Sequence, residues 1–137
     1  MDLITIILAV LLIITALGTI YYWADFYLRG GGIQVLKEEW YMKFEKAFLV
    51  ADLWGISTCS LIGAVGLLTE QPYGLFFSLL ASGSMIFLAL MDITFNVENK
   101  LYPLIATSNR MVFELGINLW FLVLGISLIV YLWPIFT

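Results

Sequence analysis

The chain has 137 residues, 63% hydrophobic and only 12% charged, with a net charge of −4 and no histidine. A soluble domain carries roughly 25% charged residues, so a single all-α transmembrane domain over residues 1–137 is expected, with no separate soluble domain. The absent histidine removes the usual haem and zinc ligand and the usual general base. One cysteine, Cys59, allows neither an intrachain disulfide nor a CxxC motif, and no basic cluster suggests nucleic acid. No cofactor is expected.

The first predicted element is a span over Leu3–Trp23, within the opening run MDLITIILAVLLIITALG. A signal peptide starts with a positive n-region, whereas this run has Asp2 and no Lys or Arg before Arg29. It is expected to be a retained span. Tyr21, Tyr22 and Trp23 at its end, with Tyr131 and Trp133 later, are read as aromatic interface belts.

The first loop carries GGGIQVLKEEWYMKFEKAF. Gly30–Gly32 make a flexible break and lack the following Lys-Ser/Thr of a P-loop. Leu36, Trp40, Phe44 and Phe48 then recur every four residues, which predicts a short amphipathic cytoplasmic interfacial helix leading into the second span.

That span is predicted over Ala47–Leu68. Gly55, Cys59 and Gly63 lie at four-residue spacing, followed by Gly66. The third span, Tyr73–Ile93, carries Ser78, Ser82, Gly83 and Ser84. Small residues let helix backbones approach closely, so these two spans should pair across the turn TEQPYG, which holds Pro72. Cys59 is assigned to the same packing. The fourth span, Met111–Trp133, lies between loop residue Pro103 and Pro134.

All six basic residues fall in the first and third connections: Arg29, Lys37, Lys43 and Lys46, then Lys100 and Arg110. The positive-inside rule places both connections in the cytoplasm and both termini outside, in a multi-pass cell-membrane protein. Each half of the chain has one acid near the end of its first helix and another near the start of its second: Asp25 and Asp52, then Asp92 and Glu114. The halves therefore read as two parallel helical hairpins.

A carboxylate facing lipid costs roughly 3 kcal/mol near the bilayer centre, so these acids should face inward. Asp52 follows Glu45 by seven residues, about 10 Å of helix. Asp92, Asn96 and Asn99 share a helix face, as do Arg110, Glu114 and Asn118. The expected site is a cytoplasm-facing pocket of Asp52, Asp92 and Glu114, floored by Asn96 and Asn118, with Arg110 as charge partner. Oxygen ligands suit a hard cation, and clustered carboxylates can exchange protons for cations. The function this favours is binding or transport of a small cation or proton-coupled solute, in the bilayer and as a homodimer or with a membrane partner. Two alternatives stand beside it: a structural or accessory subunit whose acids fix helix packing, and an enzyme acting on a lipid or quinone.

Overall fold

The chain folds into helices because almost every backbone polar group in its apolar runs finds its partner one turn away. In the computed structural model, which describes residues 1–136, all regular structure is helical. Four long helices follow in order: α1 (Leu3–Leu28), α2 (Glu39–Leu68), α3 (Pro72–Glu98) and α4 (Asn109–Phe136). A short 3-10 turn, Tyr102–Ala106, lies in the last connection. All four helices are long and apolar enough to cross a membrane.

The helices outrun the apolar blocks. α1 continues five residues past Trp23, and α3 five past Ile93. Polarity alone does not stop a helix; a backbone break does. α1 ends only before Gly30 and Gly31, both at positive φ, and α3 before Lys100, also at positive φ. Pro72 is not in the turn but opens α3, where its missing N–H would have had no helical acceptor. Pro134 lies inside the last turn of α4 rather than after it, close enough to the end that few helical hydrogen bonds follow.

α2 is made of distinct pieces. Glu39–Lys46 is α-helical, and a tight turn at Ala47 and Phe48 leads to Leu49–Ala51. Asp52–Thr58 is a π-helix, and Cys59–Leu68 returns to α. The first piece differs from the expected interfacial helix. Leu36 stays in the loop and Trp40 is exposed, while Tyr41 and Glu45 are buried. Its inner face lies against the extension of α3, where Phe44 stacks on Phe95 with centroids 3.7 Å apart. That extension supplies a wall which the hydrophobic periodicity of the loop does not reveal.

α2 and α3 pack antiparallel at glycine contact. A Cβ on Gly66 would fall inside the backbone of Gly74, and the reverse holds for Gly74. One added to Gly63 would lie 2.9 Å from the Ser78 backbone nitrogen. α3 also packs along α4, and α2 along α1. α1 and α4 stand further apart. They are joined by side chains: Trp120 Nε1 donates to Thr15 Oγ1 at 2.8 Å, and the Tyr131 hydroxyl donates to Asp2. Asp2 also caps α1 by accepting from the Thr5 amide at 2.9 Å. Beyond Thr15 the bundle is filled by buried residues including Leu8, Leu12, Leu67, Leu124, Leu128 and Leu132.

The glycine contact yields a direct test. Gly66→Ala should destabilise the protein by about 1–3 kcal/mol, because backbone must move. Gly83→Ala, whose added methyl meets open space, should be neutral or stabilising by up to about 1 kcal/mol. Thermal unfolding of the two purified variants beside the parent measures both.

Candidate functional site

The register set by the glycines brings residues 45–52 of α2 level with Asp92 of α3. The antiparallel contact of α3 with α4, where Ser82 Oγ donates to the Gly125 carbonyl, brings Glu114 alongside. Three helices thus deliver Glu45, Asp92 and Glu114 to one place. Each offers a carboxylate oxygen, and these oxygens all lie within 4.8 Å of one another.

Glu45 and Glu114 are both buried, at 7% exposure, and Asp92 is half-buried. Glu45 is held by phenols: the Tyr22 hydroxyl donates to its Oε2 at 2.7 Å, and the Tyr41 hydroxyl is a second donor. Tyr22 in turn accepts from Gln34 Nε2 at 2.7 Å. Asp52 accepts from Trp23 Nε1 at 2.9 Å. Tyr22 and Trp23, expected in an outward aromatic belt, therefore turn inward and fix two acids. Their polar tips need partners once buried, and the carboxylates supply them.

Asp52, Asp92 and Glu114 line one cavity, together with Glu45. Its volume is about 530 Å³. Asn96 is buried and its amide lies 3.5 Å from Glu114 Oε1, at the limit of a hydrogen bond. Asn118 lies elsewhere: it is buried and donates to the Tyr102 hydroxyl at 2.8 Å, outside the cavity lining. Arg110 is exposed and forms no salt bridge among the described residues, so Glu114 lacks the charge partner expected one turn away. Near the helix end, water solvates the guanidinium better than the apolar interior does. Asp25 also stands apart. It is buried, and its Oδ2 accepts from the Ile33 amide at 3.0 Å, which folds the glycine loop back on α1.

Glu45 is the site residue that the sequence pattern did not single out. Its signal was the seven-residue spacing to Asp52, which puts both on one side of a helix. The aromatic stripe of the first loop masked it, since Glu45 is not a member of the Leu36, Trp40, Phe44 and Phe48 series.

In charge terms the cluster is incomplete. Three carboxylates this close in an apolar bundle need compensation, by a cation among them or by protons on them. All six Lys and Arg are exposed. The salt bridges among the described residues are Met1 with Glu70 and Lys43 with Glu39, neither at the cluster. A hard cation with oxygen preference fits the donor set; a soft metal does not. Comparison with family models, with curated proteins and with solved structures finds no match.

Removing either kind of support should act in opposite directions. Tyr22→Phe keeps all three charges but takes a hydroxyl donor from the buried Glu45 carboxylate, and should cost about 1–3 kcal/mol. Asp92→Asn removes one of three like charges and, in chelator-treated protein, should raise the melting temperature. Thermal unfolding of both variants in low-sodium buffer reads the two signs.

Proposed function

We propose that the chain is a multi-pass membrane protein that binds a cation between Glu45, Asp92 and Glu114, with Asp52 beside them. The observation that carries this is the convergence of three carboxylates from three helices, within 4.8 Å, with no salt bridge to them among the described residues. Such an arrangement is a poor structural device. Packing alone is better served by apolar residues or by a paired charge. A cation supplies what the fold omits.

Membrane insertion rests on the four long apolar helices. The orientation follows from the basic residues: the connections that hold them face the cytoplasm, and the termini lie outside. The cluster then opens near the cytoplasmic side. The cavity is blind within one protomer, because the leucine-filled core occupies the bundle beyond Thr15 and Trp120. That favours binding over conduction through a single copy.

Purified protein should melt higher with Na⁺, Mg²⁺ or Ca²⁺ than after chelation and desalting. Glu114→Gln and Asp92→Asn should each abolish the cation-dependent rise. A binding ion present at one hundred times its Kd stabilises by about 2.7 kcal/mol, well within the reach of a melting scan. A melting temperature indifferent to every cation, in the parent and both variants alike, would overturn the proposal. Topology is checked separately by cysteine labelling in intact cells: a cysteine placed at Lys100 should be shielded from an impermeant reagent, and one at Gln71 should be labelled.

A further inference from the structure

The four carboxylates are a minority of the residues that line the cavity. A bare ion is held by ligands at about 2.0–2.6 Å and would leave most of the 530 Å³ empty. That volume instead falls in the range of about 300–1,000 Å³ found for organic ligands. Much of the remaining lining is apolar, including Ile14, Leu88, Phe113, Ile117 and Phe121. Resting on the cation-binding reading above, we infer that the ligand is an amphiphile with a primary ammonium head and an apolar chain, which enters sideways between α1 and α4.

The head matches the cluster. A primary ammonium has three N–H donors, and three acceptor oxygens converge here. Donating at about 2.8 Å and at tetrahedral angles, it reaches acceptors about 4.6 Å apart. The oxygens here are at most 4.8 Å from one another, a spread that one ammonium can span. Glu114 is the most exacting of the three. It is 7% exposed and lines the cavity, and its one side-chain hydrogen bond among the described residues is the long approach of Asn96 to Oε1. Its Oε2 accepts no hydrogen bond among the described residues.

The entrance matches the chain. α1 and α4 are the neighbours that do not pack closely, and the cavity lies between them. Gly18 on α1 and Gly116 on α4 both line it. A Cβ on either meets nothing within 4 Å, so the two glycines leave a slot rather than a contact. Ile14, Tyr21, Val112 and Phe113 at its rim are each about half exposed. The Thr15–Trp120 hydrogen bond closes the slot at its far end. In a bilayer this opening faces acyl chains, the phase in which an amphiphilic amine concentrates.

The test uses the full chain in nanodiscs of zwitterionic lipid. Quenching of tryptophan fluorescence by a brominated dodecylamine is titrated, and unlabelled competitors displace it. Saturable quenching is expected, with dodecylamine displacing at least tenfold better than butylamine, dodecyltrimethylammonium or dodecanol. These competitors lack, in turn, the chain, the N–H donors and the charge. Glu114→Gln should weaken dodecylamine at least tenfold, and so should Gly116→Leu, whose Cβ meets nothing within 4 Å and whose bulk narrows the slot. Gly83→Leu, also facing open space but outside the cavity, should bind like the parent. Equal displacement by dodecanol, or full binding by Gly116→Leu, would overturn the inference. Stabilisation by inorganic cations without saturable amine binding would overturn this inference alone; loss of both responses would overturn the cation reading with it.

Discussion

The close approach of α2 and α3 decides the rest of the structure. Gly66 against Gly74 and Gly63 against Ser78 bring the two backbones so near that no side chain could stand between them. Contact of that kind fixes register, because a slip of one residue would drive a Cβ into backbone. Register then fixes which acids meet. Asp92 lies near the N-terminal part of α2 because the glycines near the other end hold the helices in step.

The acids in turn show how the fold treats charge. Three of the four are supported by protein donors: a phenol on Glu45, the Trp23 indole on Asp52, an amide near Glu114. Among the described residues, no basic side chain forms a salt bridge with these acids. The six cations are all spent on the outside, where water solvates them. An apolar protein with few ionisable groups has thus placed four acids around one space and kept its bases out of it. That division leaves the acids to be compensated by protons or by an external cation.

The space itself arises from uneven packing. α2, α3 and α4 are drawn together by small residues, whereas α1 and α4 are spanned by Trp120 reaching to Thr15. A long side chain is a spacer as well as a bond. The π-helical turn at Asp52–Thr58 contributes too, since it re-aims the residues before it relative to the glycine stripe after it.

Helix number, approximate span limits and the α2–α3 pairing were all legible in the sequence, because each rests on local quantities: apolar run length, turn residues and small-residue spacing. Asp52, Asp92 and Glu114 were legible as inward-facing for the same reason, a carboxylate in an apolar run having few other places to go. What local pattern could not carry was which polar groups share a wall. Glu45 joins the cluster, and Asn118 leaves it for Tyr102, because of how α3 and the last loop fold over the helix ends. Tyr22 and Trp23 turn inward because buried acids wait there, a fact invisible from their position at the end of an apolar run. Local chemistry determined that acids would be buried. Only the packing of four helices decided their neighbours, since neighbours across a bundle are set by register and not by sequence distance.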